Sequence, residues 1–360
     1  MQHRNHAKTS QAGSSGRRQT VRTWLTTAAA VAGLLAAAPA LAEEPAETGK
    51  ARSVPEEEGG TFSIIFENDI FADTDRNYTN GIRAEWLSSP MDIPDWVVDA
   101  ARAFPLFPAD GSFRASYAVG QSMYTPRDIT QENPPENDRP YAGWLYGSIG
   151  LIAENGQRLD QLELTVGIVG PASGAAQTQK AVHEIIDSPI PQGWDHQLKN
   201  EPGVVLTYQR SWRGLLASQS SAYGVDLTPH AGGAVGNVFT YANAGVTLRA
   251  GKNLLLDYGP PRIKPSISGS GYFVPYDGTS WYFFAGVEGR AVARNIFLDG
   301  NTFKNSRSVD RNPFIGDVQF GFAMTVQNVR VSYTHVFRTP EFDGQEDPDG
   351  FGALSMSVRF

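Results

Sequence analysis

The sequence predicts an all-β chain closed into a transmembrane antiparallel β-barrel of about twelve strands, with a short helix in an outer loop. Three observations predict it. The N-terminus reads as a secretory signal. No later window offers 18 uninterrupted apolar residues, so a helical membrane domain is not expected. The third is period-two alternation that runs to the last residue: Leu354, Met356, Val358 and Phe360 alternate with Ser355, Ser357 and Arg359. Apolar-out, polar-in is the pattern of a barrel strand, and a terminal Phe suits an outer-membrane barrel.

Composition agrees. Of 360 residues, 19 % are charged and 11 % aromatic, with 37 Gly, 23 Pro and no Cys. A coiled coil, a collagen and a disordered chain are excluded, as are disulfides and thiolate metal sites. The net charge is −8. The first 42 residues carry Arg4, Lys8, Arg17, Arg18 and Arg22 and no acid, so removing these five takes the charge to −13. So acidic a body repels phosphates, and no nucleic-acid partner is expected.

Along the chain, Arg17, Arg18 and Arg22 precede an apolar stretch from Trp24 to Ala38 and a small-x-small cleavage site, Ala40-Leu41-Ala42. Residues 1–42 are therefore expected to be a cleaved signal peptide. Residues 43–60 read as a flexible acidic leader and 61–360 as the barrel. Twelve strands are expected: Thr61–Glu67, Gly81–Ser88, Ser112–Tyr124, Tyr141–Ala153, Leu159–Val169, Gly203–Trp212, Tyr223–Ala234, Thr240–Ala250, Trp281–Arg294, Asp317–Thr325, Val329–Phe337 and Gly352–Phe360. Most have the roughly 9–11 residues that cross at a tilt, and an even count lets the barrel close and removes its edges.

Parity gives topology. With the N-terminus periplasmic, the outer links are 68–80, 125–140, 170–202, 235–239, 295–316 and 338–351. Two inner links are tight turns, at Glu154–Gln157 and at Gln327-Asn328. Two further inner links, 89–111 and 251–280, are longer than barrels usually allow. Residues 91–105 are expected to form a short amphipathic helix at the inner interface.

Three outer links carry candidate chemistry. The first holds Asn68, Asp69, Asp73, Asp75, Asn77 and Thr79. Asp73-x-Asp75-x-Asn77 has the oxygen spacing of a Ca²⁺ loop and equally suits a plain turn. In the second, Tyr141 and Trp144 fit an interfacial aromatic girdle. Asp138 and Arg139 fit a surface pair, a phosphate grip or a brace for an active-site acid. The third is helical from Ala175 to Asp187, with Val182, Ile185 and Ile186 as its apolar face. Gln179, His183 and Asp187 share one stripe, which lets Asp187 orient His183 as a general base. There is no Gly-x-Ser-x-Gly elbow, Walker loop or His-Glu-x-x-His zinc motif.

Several segments in this order resemble one family. They are Phe66-Glu67-Asn68-Asp69, Tyr78-Thr79-Asn80-Gly81, Asn137 to Trp144, Val169-Gly170-Pro171, Val182-His183 and Trp194-Asp195-x-Gln197-x-x-Asn200-Glu201-Pro202. Together they are similar to the outer-membrane lipid A 3'-O-deacylases, over about Thr61 to Phe360. The resemblance implies a twelve-stranded barrel that acts as a Ca²⁺-dependent esterase. Its substrate would be lipid A, the anchor of lipopolysaccharide, in the outer leaflet, from which it removes the 3'-linked acyloxyacyl group. It also implies that His183 is the catalytic histidine and that Asn68, Asp69 and Thr79 line the site, Asn68 and Asp69 near the metal. The family pattern has a glutamate six residues beyond the histidine. This chain has Pro189 there, leaving Asp187, Glu184 and Glu201 as acids to orient the ring. Two other functions fit a barrel: a non-enzymatic porin or structural envelope protein, and an outer-membrane phospholipase.

Overall fold

The computed structural model describes residues 59–69, 77–90, 93, 95–108, 111–220, 222–254, 257–259 and 268–360. The expected signal peptide and nearly all of the leader lie outside these residues, as do Asp73 and Asp75.

The described chain is a closed antiparallel barrel. Its strands are β1 (Thr61–Asn68), β2 (Asn77–Leu87), β3 (Ser112–Thr125), β4 (Ala142–Asn155), β5 (Arg158–Val169), β6 (Glu201–Trp212), β7 (Leu216–Ser220), β8 (Tyr223–Gly236), β9 (Phe239–Lys252), β10 (Tyr276–Asn295), β11 (Phe314–Gln327), β12 (Val329–Arg338) and β13 (Asp349–Arg359). Neighbours in sequence pair in order, β13 returns to β1, and β6 pairs with β8 to complete the ring. The short β7 pairs with β8 beyond the end of β6, over Leu216–Ser220, so it continues β6 after a break at residues 213–215. The wall therefore has the twelve strands expected.

Alternation is what the sequence demanded. In β1, Thr61, Ser63, Ile65 and Glu67 are buried toward the lumen while Phe62 and Ile64 are exposed on the outer face. In β13, Ser355, Ser357 and Arg359 point in and Leu354 and Met356 point out. The outward row is solvated by lipid, which is why it tolerates exposure. Trp86 and Phe360 stack at 6.0 Å at the inner rim, part of an aromatic girdle there.

The lumen is filled. Arg83 reaches Glu163 at 2.8 Å and Glu85 at 3.6 Å. Arg338 and Arg290 share Asp317, each at 2.8 Å. Arg249 and Arg330 flank Asp257 at 2.8 and 3.0 Å. Charges taken this far from water survive only as pairs. Arg83→Leu, which strands two buried carboxylates, is expected to cost about 3–5 kcal/mol, read as a lower urea midpoint for the folded barrel in detergent.

Both ends of the lumen are stoppered. At the outer mouth, a four-residue helix (Ile296–Asp299) dips inward, capped by the Asn295 side chain, which accepts from the Phe297 amide at 3.1 Å. Phe297 stacks on Tyr124 at 4.0 Å, beside Trp144 and Tyr146. At the inner end, the long link between β9 and β10 folds back into the barrel. The Gly269 amide donates to Glu85 at 2.7 Å, and Ser268 bonds Glu163. Tyr272 stacks on Tyr258 at 4.1 Å, and Arg330 donates to the Tyr272 carbonyl at 2.9 Å. The unexpected length of this inner link has a use: its described residues form a plug inside the barrel. A porin needs an open lumen, and here the described residues occupy it.

The other long inner link carries α1 (Asp95–Arg102), within the amphipathic stretch expected over 91–105. The two tight inner turns are present, with positive φ at Gly156 and at Gln327.

Candidate active site

Three of the four expected site residues lie at the outer ends of β1 and β2. Asn68 closes β1 and Asp69 follows it. Both are buried, with Asp69 only 1 % exposed. Asn68 pairs across the sheet with Asn80 of β2, and Asn80 with Met123 of β3. Between Tyr78 and Asn80 the β2–β3 register slips, and the extra residue is Thr79. A bulge re-aims a backbone locally, and bulges gather beside active sites. Met123 in turn pairs with Gly143 of β4. Asn68, Asn80, Met123 and Gly143 therefore form one row, on the face opposite the lumen-facing Tyr124 and Ala142.

The fourth residue, His183, arrives on α2 (Ala175–Ile186). This helix lies against the outside of the wall, over β3 and β4. Ala175 and Trp194 pack with Met123 and Tyr141, and Gln121 of β3 donates to the Ser173 carbonyl at 2.7 Å. The close approach needs Gly143, because a Cβ there would collide with Ser173 and Ala175. Gly143→Val is expected to lift α2 and lower activity more than about tenfold, while the barrel keeps its gel shift on heating.

The face that α2 turns to the wall is polar. Gln179 and His183 are buried at 2 and 4 %, whereas Ile185 is 83 % exposed. The expected apolar face of Val182, Ile185 and Ile186 is therefore wrong for Ile185. The wall selects the 175–179–183 stripe because Gln179 has a partner there: it accepts from the Trp194 indole at 2.8 Å. Trp194 packs against Tyr141 with the rings tilted and their centroids 4.9 Å apart, so both rings brace the helix. Tyr141, covered by Trp194 outside the wall, and Trp144, in the lumen, are thus both buried and are not an interfacial girdle. Arg139 is fully buried, bonds Glu341 at 3.2 Å and lies over the Tyr124 and Phe342 rings. It ties two outer links together and is neither a surface residue nor a ligand grip.

The ring of His183 is held by the main chain. Its Nδ1 lies 2.7 Å from the carbonyl oxygen of Pro189. A carbonyl only accepts, so Nδ1 carries the proton in this bond, and in the neutral ring the lone pair is then on Nε2. The local sequence explains the geometry. Asp187 ends α2 with φ 55, its amide bonding the His183 carbonyl, and Pro189 cannot continue a helix. The chain turns back over the last turn and presents the Pro189 carbonyl to His183. None of the three acids considered does this work. Asp187 is the exposed cap and Glu184 is exposed. Glu201 instead accepts from Asn237, Asn301 and the Thr302 amide at 3.1, 3.1 and 2.8 Å.

Sequence reasoning missed two positions. Asn80 lies directly beside Asn68, and strand register could have shown it. Pro189 acts through a backbone atom, and the Asp-Ser-Pro stop after the helix was its only signal.

Among the described residues no group of three or more His, Cys, Asp or Glu side chains converges to hold a metal. Next to one another here stand the Asp69 carboxylate and the carboxamides of Asn68 and Asn80. That donor set is all oxygen and suits a hard cation.

These features define an outer-membrane β-barrel with a plugged lumen and a buried, helix-borne histidine clamped outside its wall. The chain matches the family described as outer membrane protein LpxR over residues 28–360, and it belongs to that family. This is the lipid A 3'-O-deacylase family that the motifs resemble. Its fold is similar to that of LpxR from Salmonella typhimurium, with TM-score 0.69 and 20 % identity, over 83 % of this chain and 100 % of that one. Weaker likenesses are to the β domain of the Bordetella autotransporter Brka (TM-score 0.42, 9 % identity, 84 % and 99 % covered) and to the NanC porin (TM-score 0.36, 5 % identity, 84 % and 100 % covered). No curated protein matches the chain in sequence.

Proposed function

We propose that this barrel hydrolyses the 3'-acyloxyacyl ester of lipid A in the outer leaflet, using His183 as general base and Ca²⁺ as electrophile. The observation that carries the reading is the Nδ1 to Pro189 carbonyl bond of 2.7 Å. In the neutral ring it puts the proton on Nδ1 and leaves Nε2 as the atom that would take a proton. Membership of the family gives the reading its substrate, and the outer-end position of the row gives it access to that leaflet.

In the proposed reaction His183 Nε2 removes a proton from water as the water oxygen attacks the ester carbonyl carbon. When the tetrahedral species collapses, the bond from that carbon to the sugar oxygen breaks. The imidazolium returns the proton to the departing alkoxide, and the acyloxyacyl acid is released. Asn68 and Asp69 would hold the Ca²⁺, which supplies polarisation of the carbonyl and charge stabilisation. Thr79, at the bulge, adds a hydrogen bond at the same end. The filled lumen argues against a porin.

A phospholipase would use the same groups, so substrate decides. Purified barrel in micelles with Ca²⁺ is expected to release the acyloxyacyl acid from lipid A and to leave a diacyl glycerophospholipid intact. Release of fatty acid from the glycerophospholipid alone would refute the proposal.

A further inference from the structure

The link that carries α1 does more than cross between strands. Ala101 and Phe107 pack on Leu151 and Ala153, which face outward from β4, and Phe104 meets the Tyr208 ring at 5.4 Å. The Leu106 carbonyl accepts from Arg210 at 2.9 Å, and the Tyr208 hydroxyl lies 3.0 Å from the same oxygen. This segment therefore forms a ledge on the outside of the wall, at its inner end. Beside the ledge runs a groove of about 510 Å³. Phe104, Tyr208 and Trp212 form its edge. Its floor is shallow because Ala231 and Gly233, which pair with Arg210 and Tyr208, hardly rise from the strand.

Charge sits at one end only. Arg158 and Arg210 both reach Asp160, at 3.0 and 2.7 Å, so two guanidinium groups share one carboxylate and the trio carries one excess positive charge. Both arginines remain partly exposed. Arg158 pairs with Trp212, next to the β4–β5 turn at the inner rim. A charged trio on a lipid-facing wall is tolerable at headgroup depth and costly at the midplane. From Trp212 the groove rises to Leu206 and Val235, six residues along β6. At roughly 3.3 Å per residue and a tilt near 45°, that is about 14 Å of depth, close to half of a ~30 Å hydrocarbon core.

We propose that this groove binds one glycerophospholipid of the periplasm-facing leaflet, its phosphate against Arg158 and Arg210 and an acyl chain over Ala231 and Gly233. Charge, depth and an apolar slot one leaflet long all match that lipid. The site lies at the opposite end of the wall from the His183 site and does not depend on the catalytic reading. Its occupant would anchor the ledge and set the height of the barrel in the membrane.

The test is native mass spectrometry of the delipidated full chain in detergent, titrated with phosphatidylglycerol. One tightly retained lipid is expected. Ala231→Trp, which fills the slot, and Arg158→Gln, which removes the excess charge, are each expected to weaken it at least about tenfold, or roughly 1.4 kcal/mol. Val235→Trp serves as the slot variant if Ala231→Trp does not give a heat-modifiable barrel. Retention unchanged by both kinds of variant would overturn the site. So would a dimer mass that Ala231→Trp abolishes, since that would assign the groove to a second copy of the chain.

Discussion

His183→Ala is expected to lower turnover by about 10²–10⁴ with little change in barrel stability. The ring is buried against the wall and bonded to the Pro189 carbonyl, so its loss removes the proposed proton acceptor while the helix keeps its other braces. Gln179 stays bonded to Trp194 and Trp194 stays packed against Tyr141. The same logic separates this variant from a folding defect: its heat-modifiable gel shift should match the parent. A His183→Gln variant retains a donor toward Pro189 yet cannot take a proton from water, and should be equally inactive. Near-parental activity in His183→Gln would mean that the imidazole only positions groups and is not the base.

Asp69→Asn is expected to cost about 10²–10³ in rate, the usual loss when one charge-stabilising contact of a transition state is removed. Asp69 directly follows Asn68 at the end of β1 and is 1 % exposed. The change is nearly isosteric, so the end of β1 should hold its register. If Asp69 helps hold the cation, the variant should also need a higher Ca²⁺ concentration for half-maximal activity. Chelation should silence the parent enzyme, and added Ca²⁺ should restore it. Parental activity at unchanged Ca²⁺ dependence would remove Asp69 from the site.

The fold was legible because a barrel wall obeys one local rule. Alternation at Leu354 to Phe360 fixed both the strand and its lipid-facing side, and parity then placed Asn68, Thr79 and His183 at one end. The inner plug was not legible. Ser268, Gly269 and Tyr272 are ordinary loop residues in sequence. They enter the lumen because Glu85, Glu163 and Arg330, besides their ion pairs, offer further hydrogen-bond partners there. The helix face was misread for a related reason. Hydropathy assigns Ile185 to a core, but the inward stripe finds polar partners in its own link, the Trp194 indole for Gln179 and the Pro189 carbonyl for His183, so those two turn in. Tyr141 and Trp144 look like girdle residues by type, and only packing shows them buried, one under Trp194 and the other in the lumen.

One measurement tests the central claim most directly: the mass spectrum of lipid A from cells expressing this chain, beside cells expressing His183→Ala at equal barrel levels. The account predicts loss of a mass equal to one acyloxyacyl group with the parent chain, abolished by His183→Ala and by EDTA. Unchanged lipid A from cells carrying folded parent barrel in the outer membrane would contradict it.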